Sequence, residues 1–230
     1  MFNSKYSNVL TIILVIVIIA IIGLVGFLGY DIYRKYYIDK DAETFIEEYE
    51  NQINSDTNVI GEYVGNNEIT NTYIDPGEIT QTEGNNSLGS SNSNKNNYTY
   101  KGFGVLGTIQ IPKTGINYPV LNTYTPKGLE TSVCYYFGPG LNEIGNTTIA
   151  GHNYRNGAFF GKNKKLANGD VIYITDNSGR KVKYTIYNIY KTTPNDGEYL
   201  TRDTEGKREI SLTTCTDDSK GRLIIWARET

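Results

Sequence analysis

Three side-chain types in this chain could together carry out covalent acyl transfer: a thiol, an imidazole and a guanidinium. The thiol is Cys215, which ends the run Ser211-Leu212-Thr213-Thr214-Cys215 just before the polar stretch 216–221. A thiolate is a strong nucleophile, but it needs a base or a cationic neighbour to form and an acid to discharge the leaving group. The single histidine, His152, closes the run Thr148-Ile149-Ala150-Gly151 in the same way. Imidazole titrates near neutrality and suits either proton-transfer role. Arg222 opens the run Arg222-Leu223-Ile224-Ile225-Trp226-Ala227. If the segments on either side of 216–221 pair as antiparallel strands, Arg222 lies beside Cys215, placed to bind a carbonyl oxygen or a developing oxyanion.

Each residue also has an ordinary reading. A lone Cys in a strand is most often a small buried hydrophobe, and a solitary His or a strand-opening Arg is usually a satisfied surface group. Jointly, however, His, Cys and Arg follow one another at strand ends, 63 residues (215 − 152) and then 7 residues (222 − 215) apart. The second cysteine, Cys134, lies in Val133-Cys134-Tyr135-Tyr136-Phe137 and reads as a buried core thiol. One His and two Cys fall short of the four ligands of a structural zinc site. The net charge of −3, with no block of Lys or Arg, argues against a nucleic-acid partner.

The elements that must hold these groups are mainly β. Short apolar or alternating runs recur at 104–111, 132–137, 147–150, 171–175, 181–191, 209–215 and 222–228, separated by segments rich in Gly, Pro, Asn and Asp. Only 158–167 (AFFGKNKKLA) reads as a short helix. Many closely spaced strands suggest a closed or nearly closed barrel, because closure removes exposed edges.

Ahead of this domain, residues 9–28 (VLTIILVIVIIAIIGLVGFL) carry no charge. As a helix rising about 1.5 Å per residue they would cross a hydrocarbon core of roughly 30 Å. No A-x-A-like cleavage site follows, which favours an uncleaved anchor. Residues 31–54 mix charges with Ile, Tyr and Phe at helical spacing, as a stalk helix would. Twelve of the fourteen residues in 84–97 are Gly, Asn or Ser, a composition that cannot offset its ordering entropy by burial. The expected order is therefore a cytoplasmic tail and transmembrane anchor over 1–30, a stalk helix over 31–54, a flexible linker over 55–97 and a β-barrel catalytic domain over 98–230.

SLTTC followed by GRLIIWA resembles the signature of the sortases, whose nucleophile lies in a T-L-x-T-C motif with an Arg one loop later. NTTIAGHNYRNGAFFG is similar to the sortase strand that delivers a histidine, and GVLGTIQIPKTGINYPVL to the family's opening strands. The likeness runs from about residue 103 to residue 227. It implies an eight-stranded β-barrel transpeptidase on the outer face of a Gram-positive cell, held by a single-pass membrane anchor.

In that family reading, Cys215 attacks the Thr–Gly carbonyl of an LPxTG-like sorting signal and forms a thioacyl enzyme. His152 protonates the departing amine, and Arg222 holds the substrate backbone and the oxyanion, with Thr214 assisting. The acceptor is an amino group, either of a peptidoglycan precursor or of a pilin lysine. No cofactor is implied. Some sortases bind calcium through loop carboxylates; Glu130, Glu143 and Asp170 are available here, without a calcium-loop spacing.

The chain departs from the family pattern in places. Ser211 stands where the motif has Thr. The His152-Asn153 pair and the GRLIIWA ending resemble class B sortases, yet the 63-residue interval is short for the helix those enzymes carry. Asp75-Pro76-Gly77 resembles the Asp-Pro lid of pilin-type enzymes but lacks its aromatic third residue. From the residues alone two other readings stay open: a Cys–His hydrolase with water as acceptor, and a wall-binding module in which the three residues are far apart.

Overall fold

A computed structural model describes residues 4–64 and 98–230; most of the Gly/Asn/Ser-rich linker, together with Asp75-Pro76-Gly77, lies outside the described residues. One helix, α1, runs unbroken from Ser4 to Val64. The side chains of 9–28 are exposed on every face, and this part is long and apolar enough to cross a membrane. The stalk expected over 31–54 continues the same helix. There the pattern becomes one-sided, with Ile38, Ala42, Ile46, Tyr49 and Ile53 recurring at steps of three and four. Ala42, Ile46, Tyr49 and Ile53 are all buried.

The fold after residue 98 is built from nine strands: β1 (Thr99–Tyr100), β2 (Phe103–Ile111), β3 (Ile116–Leu121), β4 (Val133–Phe137), β5 (Gly145–Ala150), β6 (Val171–Asp176), β7 (Lys181–Thr192), β8 (Arg208–Cys215) and β9 (Arg222–Glu229). Strands β2 to β9 form an eight-stranded barrel in the order β2-β3-β4-β5-β8-β9-β7-β6, closed by the pairing of β2 with β6; β1 adds a short hairpin to β2. Ile and Val dominate the interior, including Ile109, Ile149, Ile174 and Ile210, because branched side chains fit a pleated, half-buried surface. The chain passes β6 closely at Gly107, where a Cβ would meet the Thr175 carbonyl oxygen at 2.2 Å.

Strand β3 contains Pro119, a residue that argues against a central strand. Its tolerance follows from the topology. Pro119 pairs only with Thr108 of β2, and the parallel partner β4 joins β3 one residue later, at Val120 and Leu121. The open flank of β3 is where α1 lies. Tyr118 donates to Asp39, Tyr100 to Asp41 at 2.6 Å and Tyr49 to Asn177 at 2.7 Å, so the stalk is fixed to the barrel by phenol hydroxyls as well as by its apolar seam.

The short α-helix lies at Pro126–Thr131 (α2), not at 158–167. Thr125 caps it by accepting from the Gly128 N–H at 3.1 Å, and Pro126 supplies the preset first turn. Over 158–167 only a 3-10 turn forms, Asn163–Lys165. Ala158, Phe159 and Phe160 are fully buried as a plug, which a regular amphipathic helix could not present together.

Candidate functional site

The site is assembled by two parallel neighbours and one antiparallel neighbour. Strand β5 pairs with β8 in parallel, Ala150 level with Thr213, so His152, two residues on, comes level with Cys215 at the same rim. Strand β9 returns antiparallel, with Cys215 opposite Arg222. The next step, Thr216 N–H to the Gly221 carbonyl at 3.0 Å, is hydrogen-bonded. Cys215 and Arg222 therefore occupy a non-hydrogen-bonded pair, the kind whose Cα atoms stand only about 4.5 Å apart and whose side chains are closest. Both cysteines are free thiols; Cys215 is half-buried, while Cys134 is enclosed and burial pushes its thiol up to about 12.

The histidine loop is stitched to the cysteine strand. The Gly151 N–H donates to the Thr213 carbonyl at 3.2 Å, and the Thr214 hydroxyl donates to the Gly151 carbonyl at 2.7 Å. Asn153 Nδ2 donates to the Cys215 carbonyl at 2.9 Å and to Asp217 at 3.0 Å. Gly151 has no room for a side chain, since a Cβ would stand 2.8 Å from the Phe160 ring. His152 packs beside Tyr154, with ring centroids 5.0 Å apart. Burial holds its pKa below the ordinary histidine value, and the charge of Glu130 only partly opposes this. Thr214 alternates to the face opposite Cys215, and its hydroxyl is engaged by the histidine loop.

Among the described residues the Arg222 guanidinium bonds only the neighbouring Gly221 carbonyl, at 3.2 Å, and no carboxylate forms an ion pair with it. Its charge reaches Tyr124 and Tyr199, whose phenols are raised first of all by burial and lowered by Arg222. Tyr124 packs on Tyr136 with centroids 4.4 Å apart, giving an aromatic wall near the row. On the other side of Cys215 lies a cleft of about 720 Å³ lined by Asn153, Phe160, Lys164, Lys191, Thr214 and Leu223 among others.

Sequence reasoning missed a buried network behind this row. Glu209, 1% exposed, accepts from Arg202 at 2.7 Å, Arg228 at 2.6 Å and Tyr187 at 2.7 Å. Arg202 also donates to Ser211, Ser211 to Asn146, and Asn146 to the carbonyls of Tyr199 and Leu200. The segment between β7 and β8 is thereby pinned over the outer face of β8. A carboxylate at the second position of an apolar strand was the available signal. The three carboxylates considered for calcium are dispersed: Glu143 pairs with Arg180, Asp170 faces Lys113, and Glu130 belongs to α2. Among the described residues no cluster of three or more His, Cys, Asp or Glu could hold a metal.

The closed eight-stranded barrel is the architecture that the comparisons with known proteins return. The family model described as the sortase domain matches residues 109–230, a little over half of the chain, and this protein belongs to the sortase family. Sortase A of Bacillus anthracis is 33% identical over 124 residues, which cover 53% of this chain and 58% of that protein. Sortase A from Corynebacterium diphtheriae superposes with a TM-score of 0.51 at 27% identity, covering 56% of this chain and 61% of that one. A sortase D5 transpeptidase from Clostridium perfringens gives 0.50 at 30% identity, covering 55% and 79%. The chain thus spans less than two thirds of the length of the sortase A relatives, and α1 lies outside the family-matched segment.

Proposed function

We propose that this chain is a membrane-anchored cysteine transpeptidase that cleaves an LPxTG-like sorting signal and joins the released acyl group to an amine. His152 takes the proton of the Cys215 thiol, and the resulting thiolate attacks the Thr–Gly carbonyl. Arg222, across the strand pair, stabilises the oxyanion and the substrate backbone. His152 gives its proton to the departing glycine amine, leaving a thioester on Cys215. The incoming amine, from a peptidoglycan precursor or a pilin lysine, then attacks the thioester and passes its proton to His152. Thr214 holds the histidine loop through Gly151 and acts as a positioning residue, not as an oxyanion ligand. Residues 1–30 are the cytoplasmic tail and anchor, 31–54 the stalk, 55–97 the linker and 98–230 the catalytic barrel, which lies outside the cell. No cofactor enters any step.

The observation that carries this reading is the level placement of His152, Cys215 and Arg222 across three adjacent strands. The test is cleavage of LPxTG-like peptides with and without triglycine, followed by mass detection of the acyl-enzyme. Cys215→Ala is expected to abolish turnover while the circular dichroism stays unchanged, and triglycine is expected to appear in the product. Turnover by Cys215→Ala sinks the mechanism; products indifferent to any amine point to a hydrolase.

A further inference from the structure

The anchor helix and the histidine loop meet at a level that the helix itself calibrates. The apolar run ends at Leu28, and α1 continues without a break. Asn156 donates to the Asp31 carbonyl at 3.4 Å, and the Arg34 guanidinium lies 5.3 Å from the centre of the Tyr154 ring. These contacts fall three and six residues beyond Leu28, hence about 4.5 to 9 Å along the helix. The headgroup layer of one leaflet is about 5–8 Å deep. A second observation marks the same level: Tyr30, Tyr33, Tyr36 and Tyr37 are all 59–65% exposed just past the apolar run, as in the aromatic belts found at membrane–water interfaces.

The loop held at that level is cationic. Between Gly151 and Gly169 it carries Arg155, Lys162, Lys164 and Lys165 and no acidic residue, within a chain of net charge −3. Lys164 is paired with Asp217. Lys162 reaches the Thr114 carbonyl and packs against Gly157, next to Asn156. Arg155, also next to Asn156, is exposed and has no protein partner among the described residues. Arg34 on α1 adds a further cation at the same height, whereas Lys35 beside it is paired with Asp39 and Asp31 contributes one carboxylate.

We propose that this face, centred on Arg155 and Lys162 with Arg34, binds anionic phospholipid headgroups and holds the rim bearing His152 against the bilayer. The inference rests on reading residues 9–28 as a membrane anchor. Docking of the seam at Ala42, Ile46 and Tyr49 prevents the barrel from swinging away, so the loop meets the lipid surface each time the helix is inserted. Each cation beside an anionic bilayer favours the contact roughly fivefold, and salt screens it within about a nanometre.

The test is hydrogen exchange of residues 151–169 in the full chain, in phosphatidylcholine nanodiscs with or without added phosphatidylglycerol. Exchange is expected to slow by about fivefold per engaged cation in the anionic discs. High salt and Arg155→Gln/Lys162→Gln are expected to remove the difference, while amides of Ile149 and Leu212 in the barrel stay protected in every sample. Arg155→Gln alone, at an exposed position, gives a partial effect without perturbing the Lys162 contact. Equal exchange in the two lipid compositions overturns the proposal. Failure of the chain to enter either nanodisc overturns the anchor reading instead, which is scored separately by co-elution with the disc.

Discussion

Replacing Arg202 by Met tests whether the buried network behind the row of His152, Cys215 and Arg222 holds the domain together. Met keeps much of the aliphatic stem and deletes the guanidinium. In the native protein that guanidinium is 11% exposed, bonds Glu209 through two nitrogens at 3.0 and 2.7 Å, donates to Ser211 at 2.5 Å and stacks over Trp226 at 4.6 Å. Breaking one partner out of a buried ion pair costs about 3–5 kcal/mol, since the remaining charge stays desolvated. Glu209 retains Tyr187 and Arg228, the latter 40% exposed, which places this site near 3 kcal/mol. For a domain of this size each kcal/mol moves Tm by about 3–4 °C, so a fall of about 10 °C is expected by calorimetry. In the double variant with Glu209→Gln the two losses should overlap by about 1–3 kcal/mol. The pH dependence carries a sign as well. Burial raises the Glu209 carboxyl, but hydrogen bonds from Tyr187, Arg228 and Arg202 outweigh it and hold the pKa below the ordinary 4.5. The unfolded chain therefore binds the proton first, so this stabilisation is complete above pH 4.5 and is lost as pH falls through the lower folded value. Glu209→Gln should flatten that acid limb. A Tm drop for Arg202→Met under about 3 °C, or strictly additive losses, would refute the reasoning.

Other perturbations read the site more directly. Because the chain has one histidine, its NMR titration is unambiguous: the midpoint should lie below 6.5, and Glu130→Gln should lower it further by removing the one opposing charge; a midpoint at or above 6.5 contradicts the burial argument. Thr214→Val strands the Gly151 carbonyl and should cost about 1–3 kcal/mol of stability, with a fall in kcat larger than any change in KM. Gly151→Ala forces a methyl against Phe160 and should destabilise by about 1–3 kcal/mol in urea titrations, with peptide turnover lost in the same variant. Ile46→Asp puts a charge into the seam of α1; faster proteolysis of residues 31–54, with the barrel left intact, is the expected outcome.

The strand-end positions of His152, Cys215 and Arg222 were legible because chemistry-bearing side chains interrupt otherwise apolar runs where turn residues begin. The pairing of Cys215 with Arg222 was legible from the short segment between them, whereas the neighbourhood of His152 was not, since 63 residues separate two strands that turn out to be adjacent. Strand β3 did not stand out as an apolar run and was covered only by the family resemblance of 104–121; its open flank explains why Pro119 fits there. The helix at Pro126–Thr131 carried its own signal, Thr125 followed by Pro126, while the apolar Ala158-Phe159-Phe160 drew attention to a segment that plugs the barrel instead. The docking of α1 was visible only as loose helical periodicity, because the surface it meets is built from hydroxyls of Tyr100 and Tyr118 on separate strands. The Glu209 network was opaque for a similar reason. Arg202 comes from a loop, Arg228 from the next strand and Tyr187 from the one beyond, so no local pattern joins them.

The topology also explains why the three groups meet at a rim. Parallel neighbours end on the same side of a sheet, so β5 and β8 both release their following residues at one edge, and a hairpin from β8 necessarily begins β9 there. A histidine just past β5, a cysteine closing β8 and an arginine opening β9 are therefore forced level, whatever the intervening chain does. That chain, from Asn153 to Lys207, is occupied by β6 and β7, which cross to the far side and close the barrel through β2. Changes of length in the turn between β6 and β7 should leave the row undisturbed. A single-residue shift in the β5–β8 register would turn His152 to the opposite face from Cys215, and the Thr214–Gly151 and Asn153–Cys215 hydrogen bonds are the contacts that oppose such a slip.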